Sequence, residues 1–320
     1  MTILQVFKKF FIDDPIARTK KVYFWIFNYI GMRFSILFVP FYYWYILRPL
    51  RVGDDGRVGM LQLNTEINFG CNLRCEFCSV FSPHLQGVVP ADELLNAYAQ
   101  WRKKINPEYI IFSGGEPFLH PELARVVRES AEIWNESRLW LTTNGLLLER
   151  AKPDVLQAIK ESGCKVIVTE HTFEHDHRKK LDAGYKRLKQ EKIPFVIRPS
   201  RSTWLALYRY DEKGGFVPYK GNPKKAWNNC KFRACTTLFG DRLYKCSLLA
   251  HVYHTTQKGV LDSELWQAAL TYKPLTLDST PEEIVEHLRQ RVVPECTICP
   301  DKPIIVPARQ MPLERVTTSE

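Results

Sequence analysis

Eight consecutive residues, Cys71-Asn72-Leu73-Arg74-Cys75-Glu76-Phe77-Cys78, hold three cysteines at the spacing C-x3-C-x2-C. Three is an odd number, and the chain is not a small cysteine-dense scaffold, so the pattern does not read as a disulfide framework. A structural zinc takes four protein ligands, and a catalytic zinc takes three and a water. A 4Fe–4S cluster held by thiolates takes four cysteines. Three thiolates on such a cluster leave one iron open, and an open iron is where a small molecule can chelate. On spacing alone a zinc knuckle is the alternative.

A second stretch, Ser113-Gly114-Gly115-Glu116-Pro117, follows the apolar run Tyr109–Phe112 and begins some distance after Cys78, with one helix between them. Its glycines allow a backbone to come close to a ligand. The C-x3-C-x2-C loop, with the aromatic Phe77 before the third cysteine, and the Gly-Gly-Glu-Pro segment together resemble the radical SAM enzymes. That resemblance implies a 4Fe–4S cluster on Cys71, Cys75 and Cys78 whose open iron binds the amino and carboxylate groups of S-adenosylmethionine. It implies one-electron cleavage of that cofactor to a 5′-deoxyadenosyl radical, which abstracts a hydrogen atom from a substrate. It also implies cofactor contacts from Phe77, Gly114, Gly115, Glu116 and Pro117, and a reductant such as flavodoxin or ferredoxin.

Stepping from these residues to what must carry them, Leu61–Phe69 is expected as a strand that delivers the cysteine loop. A helix over 91–104 follows, with Leu94, Leu95, Tyr98 and Trp101 at helical spacing. Strands are expected at 109–112, 138–143, 165–169 and 195–198, with helices at 120–134, 153–162 and 178–191 between them. Strands alternating with helices of this length mean βα units and a parallel sheet. The unusual residues fall at the carboxyl ends of the strands, the active-site face of a βα barrel. The resemblance implies a partial (βα)6 TIM-like barrel over 60–229. It places Asn144, Glu170 and Arg198 where cofactor ribose and carboxylate contacts arise. His171, His175 and His177 form a loose cluster that lacks a further ligand nearby.

Past Ser200 the alternation stops, and no sixth strand can be placed over 201–229. Five more cysteines follow: Cys230, Cys235, Cys246, Cys296 and Cys299. Thr236–Phe239 and Arg242–Tyr244 are expected as a hairpin around Gly240-Asp241. Thr280-Pro281-Glu282-Glu283 opens a helix with a capping box. A cysteine hairpin followed by C-x2-C resembles the twitch or SPASM appendages of the same superfamily, which implies a second 4Fe–4S cluster over 230–303. The favoured ligands are Cys235, Cys246, Cys296 and Cys299, with Cys230 as a replacement for Cys235, and zinc on the same thiols is the alternative. Cys164 starts a strand and is expected as a small buried hydrophobe. The tail 304–320 is expected to be irregular.

The chain has 320 residues and a net charge of +10, of which +6 falls in residues 1–51. A nucleic-acid footprint would put the excess on the folded body, so nucleic acid is not an expected partner. Residues 22–47 are almost wholly apolar and hold twelve aromatic side chains. Arg33 in mid-segment, Pro40 and basic flanks on both sides argue against a simple span. The expectation is an N-terminal hydrophobic helical segment, 1–51, lying on the cytoplasmic face of a membrane. Free thiols and no cleavable signal pattern point to a reducing, cytoplasmic compartment. The whole reads as an α/β enzyme with a cysteine-rich C-terminal appendage. It would act on a small or lipid-linked molecule, such as a sugar or alcohol to be oxidised or rearranged. A peptide-modifying maturase and a non-catalytic metal-binding membrane adaptor are the alternatives.

Overall fold

The computed structural model of the chain describes residues 44–200 and 202–313. The expected hydrophobic segment 22–47 lies almost entirely outside the described residues. Among the described residues no helix is long and apolar enough to cross a membrane.

A short strand β1 (Arg51–Val52) turns back onto β2 (Val58–Asn68). Then come α1 (Ala91–Arg102), β3 (Ile105–Gly114), α2 (Leu123–Ile133), β4 (Arg138–Thr143), α3 (Pro153–Glu161), β5 (Lys165–Thr169), α4 (His177–Gln190) and β6 (Phe195–Arg198). Strands β2 through β6 are parallel neighbours in that order. The sheet is open, as a partial barrel requires. One face of its strands, including Leu63, Ile67, Ile110, Phe112, Leu141 and Val166, packs under the helices against Leu94, Tyr98, Val126 and Ile159. Side chains of this size contribute roughly 1.5–3 kcal/mol each when fully buried. A polar pair in that layer is satisfied internally: Thr65 Oγ1 and Tyr98 Oη are 2.6 Å apart. Cys164 is fully buried in the same core.

The segment after β6 holds β7 (Thr203–Leu205), β8 (Arg209–Tyr210), β9 (Phe216–Val217), α5 (Pro223–Asn229), β10 (Thr237–Phe239), β11 (Arg242–Tyr244), α6 (Ser247–Gln257), α7 (Gln267–Leu270), α8 (Pro281–Arg289) and β12 (Ile305–Pro307). The β10–β11 hairpin turns at Gly240-Asp241, where Gly240 takes φ +57°. Strand β10 runs parallel to β2, with Thr237 opposite Asn64 and Leu238 opposite Thr65. The cysteine-flanked hairpin therefore supplies the sixth parallel strand, on the β2 edge of the sheet. Gln62 Nε2 and Asn64 Nδ2 seal this seam by donating to Ala234 O and Thr236 O. The capping box of α8 forms in both directions between Thr280 and Glu283.

One expectation is corrected here. The tail is not irregular from residue 304: β12 pairs antiparallel with β7, Ile305 opposite Leu205 and Pro307 opposite Thr203. Two prolines and a short apolar stretch hid a strand that only its tertiary partner makes visible.

Candidate active site and thiol groups

The loops after β2, β3 and β4 are tied together at the carboxyl end of the sheet. Asn68 Nδ2 donates to Gly70 O at 2.8 Å and to Glu116 O at 2.9 Å. Gly114 has φ +137°, and a Cβ on Gly115 would fall 2.0 Å from Gly70 O. The glycine pair is thus what lets the β3 loop lie against the backbone leading into Cys71. The fully buried Glu116 accepts from Thr143 Oγ1 (2.6 Å), Phe118 N (3.1 Å) and Asn144 N (2.8 Å). Burial pushes its carboxyl up to about 7, against the pull of those three donors. Its side chain fastens two loops, and what the segment 114–116 offers a ligand is backbone. Pro117 starts the short 3-10 turn Pro117–Leu119 that follows. Asn144 Nδ2 donates to Asn72 Oδ1 at 2.7 Å, which brings the β4 end to the cysteine loop.

Within that loop Leu73 N donates to Cys71 Sγ at 3.4 Å and Cys78 N to Cys75 O at 3.2 Å. Phe77 and Phe81 take φ +58° and +56°, a conformation that bulky residues avoid. Aromatic packing holds them there: Phe77 meets Tyr210 at 5.0 Å and Tyr208 at 5.7 Å, and Phe81 stacks on Tyr208 at 5.0 Å. Tyr208 Oη also donates to Cys78 O at 3.2 Å. Burial pushes the Cys71 thiol up to about 12, with Glu116 and Cys78 adding to it. Cys75 and Cys78 are raised by burial too, and Cys75 further by the other two sulfurs. Three buried sulfurs that resist ionisation together are a donor set that a cationic cluster would deprotonate and complete.

The C-terminal segment straps this loop. Glu76 N donates to Arg309 O (3.0 Å), Arg74 N to Gln310 Oε1 (3.1 Å) and Met311 N to Arg74 O (2.6 Å). Arg309 pairs with the buried Glu76 carboxylate. Gln310 Nε2 donates onward to Glu174 Oε1 at 2.8 Å. No sequence pattern marks residues 309–311 as partners of a loop more than 230 positions away.

The remaining expected contacts are placed as follows. Glu170 Oε1 accepts from Arg178 (2.9 Å) and Tyr185 (2.7 Å), and its Oε2 from Ser200 N (3.3 Å), so its carboxylate is engaged within the fold. Its ion pair is with Arg178. Arg198 is exposed at the end of β6 and acts electrostatically on Cys235. Of the three histidines, His177 lies with Glu174 and Asp176 in the one group of three whose candidate ligand atoms fall within 4.8 Å of one another among the described residues.

The other five cysteines converge from distant positions. Cys230 ends α5, Cys235 precedes β10, Cys246 precedes α6, and Cys296 and Cys299 belong to the 3-10 turn at Pro294–Ile298. That turn is laced to α5: Gly221 N donates to Thr297 O at 2.7 Å, and Asn229 Nδ2 donates to Asp301 O at 2.6 Å. A Cβ on Gly221 would lie 2.2 Å from Cys299 O. Phe232 N donates to Cys230 Sγ at 3.3 Å. Burial raises every one of these thiols, Cys230 to about 11 and Cys235 and Cys246 to about 12. After burial, Cys230, Cys246 and Cys296 act on Cys299, and Cys230, Cys296 and Cys235 act on Cys246. Of these sulfurs, Cys230 alone acts on Cys235. Cys230 is linked in this way to all four others, and Cys235 to Cys230 and Cys246. Among the described residues no three cysteine sulfurs lie within 4.8 Å of one another. Thiolates on one tetrahedral zinc would be about 3.8 Å apart, given bonds of about 2.3 Å. Both thiol groups are wider than a single-ion site.

The radical SAM superfamily profile matches residues 65–192, from late β2 through α4. The GTP 3′,8-cyclase of Aquifex aeolicus is 30% identical over 141 residues, covering 42% of this chain and 39% of that protein. The GTP 3′,8-cyclase of Microcystis aeruginosa is 28% identical over 158 residues, 48% of this chain and 44% of that protein. The chain thus spans less than half the length of these curated relatives. Among solved structures, the fold is similar to BtrN in complex with AdoMet and 2-DOIA, at 17% identity and TM-score 0.39, over 72% of this chain and 87% of that one. It is also similar to anSMEcpe with bound AdoMet and Cp18Cys peptide, at 20% identity and TM-score 0.35, over 43% of this chain and 42% of that one.

Proposed function

We propose that this chain, which carries a radical SAM domain at residues 65–192, is an enzyme that cleaves S-adenosylmethionine reductively and takes a hydrogen atom from a small-molecule substrate. The observation that carries the reading is the joining of three loops at one end of the sheet: Cys71–Cys78, Gly114–Glu116 and Asn144. Radical SAM proteins use a 4Fe–4S cluster and S-adenosylmethionine, which supply when bound a carbon radical strong enough to break a C–H bond. Cys71, Cys75 and Cys78 would hold the cluster. The backbone of Gly114–Glu116 would receive the cofactor's polar end, and Phe77 and its tyrosine partners would keep water from the third cysteine. Pro117 ends the receiving loop, and Asn144 keeps Asn72 and Cys71 in place.

We infer that Cys230, Cys246, Cys296 and Cys299 hold a second cluster, a twitch-like auxiliary site able to accept an electron from an oxidised substrate. The reading also takes a flavodoxin- or ferredoxin-type reductant as partner. It takes attachment to the inner face of a membrane through residues 1–51, supported by their aromatic content and charge of +6. Deleting residues 1–50 should then abolish flotation with anionic vesicles. A second reading, cyclisation of GTP, is favoured by the 30% identity to a protein of that name. Assaying GTP consumption separates the two.

The test of the main reading is anaerobic reconstitution with iron and sulfide, reduction, and measurement of 5′-deoxyadenosine. Wild type should form it slowly without substrate, and Cys78→Ala should not. Cleavage at the wild-type rate by Cys78→Ala would remove the three-cysteine loop as the cofactor site.

A further inference from the structure

Beside the end of β2 is a cavity of about 290 Å³ that no motif announced. Its walls are Phe69 and Glu66 from the end of β2, Glu93 and Leu94 from α1, Phe239 from the hairpin tip, and His254 and Gln257 from α6. It runs from the exposed side chains of Glu93 and Gln257 down to Glu66, whose side chain is 2% exposed. Glu66 Oε1 faces His251 Nε2 at 3.1 Å and Ser113 Oγ at 3.3 Å. Among the described residues Glu66 Oε2, which is buried, has no hydrogen-bond partner, and neither has His254 Nε2. A buried carboxylate oxygen left unmatched costs about 1–3 kcal/mol, so a group with that geometry calls for a donor.

The lining decides what kind of donor. Among the described residues it holds two carboxylates, Glu66 and Glu93, and neither lysine nor arginine, although Lys258 acts electrostatically on His254. Three rings stand together in the wall: Phe69 stacks on His254 at 4.2 Å, and Phe239 lies 5.0 Å from His254. Carboxylate and aromatic faces in one partly desolvated cavity favour an organic cation, through a charge-assisted hydrogen bond and cation–π attraction. Phe69 is two residues before Cys71, and Ser113 is the residue before Gly114, so the cavity abuts both cofactor loops.

We propose that this cavity binds an organic amine, an ammonium group carried on a small apolar or ring body, with Glu66 as its counter-charge. The proposal rests on the radical SAM reading only in taking that amine to be the substrate. Binding itself is independent of the cofactor.

The test uses full-length, cluster-loaded protein and three probes of one shape and different charge: benzylamine, benzyl alcohol and benzoate. Calorimetry at neutral pH should show benzylamine binding at least tenfold more tightly than the alcohol, and benzoate not at all. Glu66→Gln keeps the shape and should weaken benzylamine at least tenfold while leaving benzyl alcohol unchanged. Gln257→Lys, at the exposed mouth, should weaken benzylamine without risk to the core and should admit benzoate. Equal binding of the three probes, no binding of benzylamine at millimolar concentration, or wild-type benzylamine affinity in both variants would overturn the proposal. 5′-Deoxyadenosine formation is measured on the same samples. Cleavage without amine binding removes this site and leaves the radical SAM reading, and amine binding without cleavage does the reverse.

Discussion

Cys71, Cys75 and Cys78 share one loop of eight residues, whereas Cys230, Cys246 and the pair Cys296 and Cys299 come from three separate elements across a span of 70. The first group is built by covalent proximity and then finished by the fold. Asn68 and Asn144 pin its start, Phe77 and Phe81 take left-handed backbone, and residues 309–311 strap its middle. The second group exists only because α5, the hairpin, α6 and the Pro294–Ile298 turn pack together. The difference teaches that sequence spacing can identify a ligand set when the chain itself holds the ligands near each other. When helices hold them, it can only nominate candidates.

The comparison breaks most visibly if both groups are emptied in turn. With Cys71, Cys75 and Cys78 all changed to alanine, 5′-deoxyadenosine formation should vanish and iron should fall from about eight to about four per chain, as two four-iron clusters require. Wild-type protein that never exceeds about four irons would show that the second group does not hold a cluster.

The comparison sharpens at Cys230 and Cys235. Local reading favours Cys235, whereas Cys230 is the sulfur that interacts with each of Cys246, Cys296 and Cys299. Cys230→Ala should therefore lose about half of the iron, as Cys246→Ala should, and both should keep cofactor cleavage. Cys235→Ala should keep nearly all of its iron. The opposite pattern would restore Cys235 to the set.

A smaller effect is expected from the strap. Truncation after Lys302 removes the hydrogen bonds of residues 304–311 to β7 and to the cysteine loop. A loss of about 1–3 kcal/mol should lower the melting temperature by about 2–6 °C. Iron should leave the first group faster than the second during chelator challenge. Equal loss from the two groups would mean that the strap serves the fold and not the loop.

The smallest effect concerns acid. Burial holds His171, His254 and His287 down to about 4, with nearby cationic or histidine groups adding to it. An unfolded chain takes up these protons as pH falls through about 6.5. The folded chain does so only near 4, so stability is present above about 6.5 and is lost as pH falls toward 4. His171→Phe, which can pack on Phe173 and Trp204, should show a shallower decline in melting temperature between pH 7 and pH 5. Identical slopes in variant and wild type would count against the burial argument.

Much of the sheet was readable because its code is local. The strands 138–143, 165–169 and 195–198 are apolar runs bounded by polar residues and turns, and they form at those bounds. Strand β3 begins at Ile105 rather than 109, because Pro107 looks like a break until its pairing with Met60 is seen. Glu66 looked like an ordinary strand residue, and nothing in the sequence set it against His251, 185 positions on. The short strands β7 and β12 are too brief to show a period, and each is defined by the other.

The sequence by itself supplied the candidate chemistry of the first site: three thiols in one loop and a glycine pair one helix later suit a group held by sulfur and approached by backbone. Tertiary structure alone decided that the five later thiols come together, that the tail fastens the cysteine loop, and that two carboxylates and three rings line a cavity next to that loop. The physical reason is distance along the chain. Over a few residues, bond geometry limits where a side chain can be. Over tens or hundreds, position follows from which apolar faces bury against each other, and that choice is made by the whole core at once.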